Sequence, residues 1–169
     1  ASIRLSRCCS SGGNGRITGG GSIRIHAGVI RNNGTLDASG ANGWSSAGGG
    51  SGGGIWLTCM KYRTSVTSVT RADGGANNEG QAGGGGGRIC IAIGLKDSQV
   101  GEFYETGAAT GRYTVIDLTD EAIDVSQYVK GVISAAGGIS SATSTDCDGK
   151  PGTVVWIETP PPGTLIILR

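Results

Sequence analysis

Five cysteines are the residues of this 169-residue chain best able to do chemistry: Cys8, Cys9, Cys59, Cys90 and Cys147. With a single histidine, His26, and no Cys-x-x-Cys pair, they fit a zinc site poorly. Disulfides in an oxidising compartment fit better, and the odd number leaves one thiol free or bonded to another molecule. The adjacent Cys8 and Cys9 either bond two separate partners, or form one bridge and leave one buried thiol.

Acidic residues offer two further kinds of site. Asp146-Cys147-Asp148-Gly149 has the carboxylate spacing that opens a calcium loop, but the later glutamate is missing, which favours a plain turn. A second group could supply acid and base for glycan cleavage, but it falls on an irregular segment and is better read as a solvated face. This group consists of Asp117, Asp120, Glu121 and Asp124. We therefore predict no catalytic residue, no metal site and no cofactor, and we expect a protein that is not an enzyme.

Charge and composition limit the location and the partners. The net charge is +1 without a basic run, which gives a nucleic-acid partner no electrostatic support. No stretch approaches the roughly 20 apolar residues of a membrane span. Asn33-Gly34-Thr35 is an N-glycosylation sequon, with Asn33 as the acceptor. Together with the cysteines, these features predict an extracellular or cell-surface protein.

An internal repeat must position these residues. Three glycine runs lead into short apolar strands at Ile23, Ile55 and Ile89, which are 32 (55 − 23) and 34 (89 − 55) positions apart. A second phrase, 34–42, returns at 69–77 and more loosely at 131–138. Such a period is typical of repeat arrays, and glycine with β-branched residues argues against helix. The repeat predicts an all-β solenoid of parallel strands, with coils of about 32–34 residues.

Alternation within the strands assigns their faces. Ile25, Leu57 and Ile91 are predicted inside, which leaves Arg24, Trp56 and Cys90 in an outer column. In the last strand we place Val155 and Ile157 inside, so that Trp156 joins Trp56 outside. Because an exposed row of Trp is unusual, we expect a later segment or a neighbouring molecule to cover Arg24, Trp56 and Trp156.

The remaining segments carry smaller expectations. The chain is read as one domain, 1–169, with an irregular insertion at 94–130 that covers the outer column. Within it, 119–129 is predicted to be a short helix capped by Thr119. Trp44 is expected to close the strand stack in preference to stacking on a sugar. The glycines are expected at tight turns with positive φ and at close backbone contacts. The apolar carboxyl end suggests a fragment, or a subunit capped by a partner.

The repeated phrases resemble a known class of surface protein. Three phrases follow one another: Gly-Gly-Gly-Ser/Gly-Ile-x-Ile/Leu, then Gly-Thr-Leu-x-Ala-x-Gly, then a glycine run into Arg-Ile-x-Ile. This alternation is similar to the glycine-rich right-handed parallel β-helix repeats of large secreted adhesin-like and protist or algal surface proteins. The resemblance covers 19–93 well, 131–157 loosely and 94–130 not at all. It implies a right-handed β-helix and an extracellular structural or adhesive module that assembles into a filament, appendage or coat. The partners would be copies of itself or other surface subunits, with glycans as a further option; the alternative is a carbohydrate-active enzyme or glycan-binding module.

Overall fold

The structure is a computed structural model that describes residues 2–6, 17–44, 46–95, 114–141 and 147–159, the first of these ranges by its backbone. Within these ranges nearly all regular structure is β-strand. The strands are β1 (Ser2–Ser6), β2 (Ser22–Asn32), β3 (Thr35–Asp37), β4 (Gly54–Thr64), β5 (Val69–Arg71), β6 (Arg88–Ile93), β7 (Thr114–Asp117), β8 (Val132–Ser134) and β9 (Thr153–Glu158). A 3-10 turn, Val125–Gln127, precedes β8.

Two sheets contain all of these strands. The six-stranded sheet has the order β1-β2-β4-β6-β9-β7, and the three-stranded sheet has the order β3-β5-β8. Strands β2, β4, β6 and β9 are parallel, as are β3, β5 and β8. The outermost strands β1 and β7 run antiparallel to their neighbours. The larger sheet is therefore mixed.

The prediction of a plain parallel β-helix is wrong. A uniform coil has only parallel neighbours, whereas here an antiparallel strand closes the parallel series at each edge of the larger sheet. A second difference lies in the glycine runs, which form extended layers of their own and not the corners of a coil. The pairing of equivalent strands is nevertheless confirmed, because Ile23 lies opposite Ile55 and Ile55 opposite Ile89.

The hydrophobic core lies between the inner faces of the two sheets. Leu57 and Ile91 are fully buried, and Leu36 and Ile133 of the smaller sheet pack against the same cluster. Strands β2 and β4 bend near Gly28 and Met60, so the inward positions continue as Ile30 and Tyr62. Two aliphatic faces thus exclude water from one shared interior.

Trp156 belongs to this core and not to the outer column. Ile91 lies opposite Trp156 and Ile89 opposite Val154, one residue away from the predicted alignment. Trp156 is 4% exposed, its Nε1 donates to Glu158 Oε1 at 2.7 Å, and its ring lies 6.1 Å from Tyr62 and 5.5 Å from Tyr128 between centroids. The prediction that Trp156 faces outward is wrong, because a shift of one residue moves every side chain of a strand to the other face.

Extended glycine segments continue both sheets beyond their strands. Segments 38–43, 72–77 and 135–140 follow β3, β5 and β8 and form what we call the first glycine layer. Segments 18–21, 48–53, 82–87 and 147–152 lead into β2, β4, β6 and β9 and form the second glycine layer. A repeat unit therefore leaves the smaller sheet, runs outward in the first layer, turns, and returns in the second.

Backbone hydrogen bonds join the two glycine layers directly. Gly53 N donates to Ala38 O at 2.8 Å and Gly50 N to Ala41 O at 2.9 Å. The next unit repeats this with Gly87 to Ala72 and Gly84 to Gly75, and the last with Gly152 to Ala135 and Gly149 to Gly138. Bonds recur every three residues, which is the period of a polyproline II chain and not of a β-strand.

Most of these glycines are required by space and not by backbone angle. Among the described glycines only Gly80 and Gly94 have positive φ, each at 81°, so the expected tight turns with positive φ are wrong for the runs. A Cβ built on Gly75 would lie 1.9 Å from Ala41 O, and one on Gly84 would lie 2.0 Å from Gly50 O. The expected close backbone contacts are present.

The insertion at 94–130 is described in part. Residues 96–113 lie outside the described ranges, and with them the predicted cover of the outer column. From Thr114 the chain forms β7 beside β9, then turns so that Leu118 and Val129 enter the main core. The predicted helix at 119–129 is wrong: only Val125–Gln127 forms a 3-10 turn, capped by Asp124, whose carboxylate accepts from Ser126 N.

A pair of glycine substitutions tests the contact between the layers. Gly74→Ala should lower the free energy of unfolding by at least about 3 kcal/mol, the upper end of the range for overpacking, because a Cβ on Gly74 would lie 1.9 Å from Gly84 O of the other layer and rigid backbone blocks the new methyl group. Gly28→Ala is the control, since a Cβ at Gly28 meets nothing within 4 Å. Urea unfolding of both variants measures the difference, and equal stability would contradict a close-packed pair of layers.

Candidate functional site

The outer face of the six-stranded sheet carries the column predicted from the sequence. Arg24 lies opposite Trp56 and Trp56 opposite Cys90, on the face away from the main core. Trp56 is 38% exposed. Further along the same face, Ala92 and Ile157 are buried against Leu95 in a second small cluster. Leu95 therefore covers one end of this face, and Trp156 lies on the opposite side of the sheet.

The described cysteines do not pair with one another. Cys59, Cys90 and Cys147 are free thiols, while Cys8 and Cys9 lie outside the described residues. Cys59 lies opposite Ala27 and Ile93 on the inner face, and Cys90 lies opposite Trp56 on the outer face. Burial raises the pKa of each of these two thiols to about 11. Both are therefore poor nucleophiles at neutral pH.

Thiol labelling should separate Cys59 from Cys147. At about pH 8 the Cys59 thiolate is scarce, because burial holds its pKa near 11, and its sulfur is also shielded from reagent. Short treatment with iodoacetamide followed by peptide mass spectrometry should modify Cys147, which is partly exposed, and leave Cys59 unmodified. Labelling in urea provides the control, because unfolding must make Cys59 reactive. Rapid modification of Cys59 in the native protein would show that this assignment is wrong.

Asn33 lies where a glycan acceptor must lie. It is exposed in the bend between β2 and β3, and its sequon threonine, Thr35, begins β3. The bend is fixed by Asn32, whose Nδ2 donates to Thr70 Oγ1 at 3.1 Å and whose Oδ1 accepts from Gly34 N at 3.1 Å. Glycosylation of Asn33 stays a prediction.

The acids considered for glycan cleavage shape turns. Asp117 Oδ1 accepts from the hydroxyl and the backbone N–H of Thr119, and these bonds lower the Asp117 pKa. Bonds from Ser126 lower the pKa of Asp124 in the same way. A general acid in glycoside hydrolysis needs a raised pKa. These two carboxylates are shifted in the opposite direction.

A polar groove of about 630 Å³ lies on the first glycine layer. Arg71 donates from Nε and Nη2 to Asp37 Oδ2 at 2.9 and 2.7 Å, and this bond lowers the Asp37 pKa. Asp73 Oδ1 accepts from Ser134 Oγ at 2.5 Å and from Ala136 N at 2.8 Å. Sequence reasoning missed this groove, although Asp37 and Arg71 occupy equivalent places in the repeated phrase. The polar atoms of this groove mainly form hydrogen bonds between neighbouring repeat units.

The outer end of the glycine layers holds a set of linked loops. Asn77 is fully buried: its Nδ2 donates to Ala47 O at 2.8 Å, and its Oδ1 accepts from the N–H groups of Glu79 and Gln81. Two further bonds, Gly80 N to Ser141 Oγ and Ser140 Oγ to Gln81 O, join the second loop to the third. We call the described residues of these loops, 44, 46–47, 77–81 and 139–141, the loop end.

Two large apolar side chains are exposed at the loop end. Trp44 is 64% exposed and Ile139 is 70% exposed. The expectation that Trp44 closes the strand stack is therefore wrong. Gly43, Asn77 and Ser140 lie side by side on the three segments of the first glycine layer. Trp44 and Ile139 therefore lie at the same end of the first and third segments. An exposed indole in a loop could have been suspected from the sequence, but its exposed partner could not.

Comparisons with family models, with curated proteins and with solved structures gave no match for this chain. Within the described ranges, no helix has the length and hydrophobicity needed to cross a bilayer. The same ranges hold no group of three or more His, Cys, Asp or Glu side chains able to bind a metal ion.

Proposed function

We propose that this protein is an extracellular structural or adhesive module that associates with copies of itself or with other surface proteins. The observation that carries the proposal is the loop end. There the hydrogen-bonded glycine layers hold two exposed apolar side chains, Trp44 and Ile139, on linked loops. Loops on a rigid scaffold are where binding residues concentrate, and exposed apolar side chains that share one end of the molecule can form a contact surface.

Hydrogen bonds at the loop end support a contact role. The side chain of Asn77 ties Ala47 to Glu79 and Gln81, so ordering these residues on binding costs little further conformational entropy. Aromatic side chains with few rotamers are also common anchors of interfaces. Trp44 is the side chain that we assign to this role.

Self-association tests the proposal. The double variant Trp44→Ser with Ile139→Ser should reduce the sedimentation coefficient of assembled protein to that of the monomer, because it removes the exposed apolar contacts. Val66→Ser is the matched control, since Val66 is 78% exposed but lies in the turn between β4 and β5. Sedimentation velocity with and without reductant would also reveal disulfide-linked species. A wild-type chain that stays monomeric at every concentration and binds no surface protein would refute the proposal.

A glycan-binding module is the second candidate. The observation that favours it is a group of cations on the outer face of the six-stranded sheet.

A further inference from the structure

Three cationic side chains from two distant stretches of sequence meet on the outer face of the six-stranded sheet. Strands β2 and β4 are parallel there, with Val29 opposite Lys61 and Arg31 opposite Arg63. Because positions two apart on a strand share a face, Arg31, Lys61 and Arg63 all project from the same side. All three are exposed. We call these three residues the basic cluster.

The size of the basic cluster follows from sheet geometry. Neighbouring strands lie about 4.8 Å apart, and residues two apart on one strand are separated by roughly 7 Å. Three positive charges therefore share an area of about 5 by 7 Å at their Cα positions. Arg and Lys side chains on such a base reach the same bound anion or two successive anions.

The described part of the chain shows no structural purpose for the basic cluster. Among the described residues, no carboxylate forms an ion pair with any of its members, and the ion pair that the described ranges do contain is Asp37–Arg71. No hydrogen bond within those ranges involves their side chains either. Like charges side by side on neighbouring strands destabilise a sheet. Within the described residues this unfavourable arrangement is not compensated, and such arrangements are expected at functional sites.

The charge of the whole chain makes the cluster more notable. The net charge is only +1, so the concentration of positive charge on this face is not a consequence of a basic protein. Arg88, the first residue of β6, is another exposed cation on the same face, but it lies opposite Gly54 and so is seven positions (61 − 54) before Lys61 along the sheet. The exposed acid Asp117 lies at the other edge of the sheet, at the end of β7.

We propose that the basic cluster binds an acidic polysaccharide through its sulfate or carboxylate groups. The inference goes beyond self-association and rests on the proposed function for one point, the extracellular location that makes such a polymer available. Guanidinium groups bind sulfate and carboxylate in bidentate fashion, and closely spaced cations match the repeated charges of a linear polyanion. Nucleic acid is a less suitable partner, because three contacts are few beside the 6–10 phosphate contacts of a typical DNA-binding protein.

Titration with dextran sulfate tests the proposal, with uncharged dextran and a polyuronate as the comparison polymers. Binding should occur with dextran sulfate, with the polyuronate, or with both, which distinguishes the two sources of negative charge. Arg63→Thr should weaken binding roughly tenfold at low salt and lower the slope of log K against log salt by about one. The triple variant Arg31→Thr, Lys61→Thr, Arg63→Thr should abolish binding.

Two controls separate binding from folding. Lys150→Thr removes one exposed cation from the second glycine layer and should leave binding unchanged. The urea midpoint of Arg63→Thr should stay the same or rise, because one like-charge contact has been removed; a lower midpoint would show a structural role.

Three results would overturn the proposal. They are equal weakening by Lys150→Thr and Arg63→Thr, absence of binding to both anionic polymers, and tighter binding to single-stranded RNA or to anionic lipid vesicles. The assay uses monomeric protein, so it can succeed when self-association fails, and the reverse also holds.

Discussion

Backbone hydrogen bonds between the two glycine layers are the constraint on which the rest of this structure depends. Ordinary sheets pack about 10 Å apart through side chains, whereas these layers bond N–H to carbonyl across their interface, as Gly84 does to Gly75 at 2.9 Å. Such bonds leave no room for a Cβ at most facing positions. Glycine is therefore required here by steric exclusion, and the entropy that glycine loses on folding is offset by dense hydrogen bonding.

The transition from sheet to glycine layer depends on side-chain size. Between the sheets the core is filled by Leu57, Ile91 and Trp156. Where the layers begin, the buried positions are alanines, Ala38, Ala72 and Ala135, and beyond them most positions that face the other layer are glycines with no room for a Cβ. The distance between the two facing sides therefore decreases along the repeat unit. Large apolar side chains separate the sheets, single methyl groups separate the layers where they begin, and farther out the two backbones are in direct contact. One repeat unit combines a hydrophobic core and a backbone-bonded extension.

The two sheets and the glycine layers that extend them present two surfaces of different chemistry. The loop end presents apolar side chains at the far end of the glycine layers, and the outer face of the six-stranded sheet presents the basic cluster. The surfaces lie on different elements, so a module of this kind could contact a protein and a polymer at the same time. Both are held by parallel rows, whose spacing fixes the distance between side chains from different units.

Much of the strand pairing was predictable from the sequence, because spacings of 32 and 34 residues place Ile23, Ile55 and Ile89 side by side. The mixed sheet was not predictable, since nothing in the sequence of β1 or β7 specifies the direction of its approach. Trp156 was misplaced because Val154, Val155, Trp156 and Ile157 are all apolar, so alternation fits both faces equally. Tyr62 and Tyr128, which lie far from it in sequence, select the face.

The sequence by itself determined which segments are neighbours, since a repeated phrase offers the same pairing pattern in each unit. Only the tertiary structure decided what those neighbours do. Glycine runs that read as turns became layers, because hydrogen bonds between distant segments favour an extended chain of period three. Arg31, Lys61 and Arg63 became one cluster because parallel pairing joins residues about thirty positions apart. Spacing along a chain specifies contacts, but the face and the charge around a residue depend on every segment packed against it.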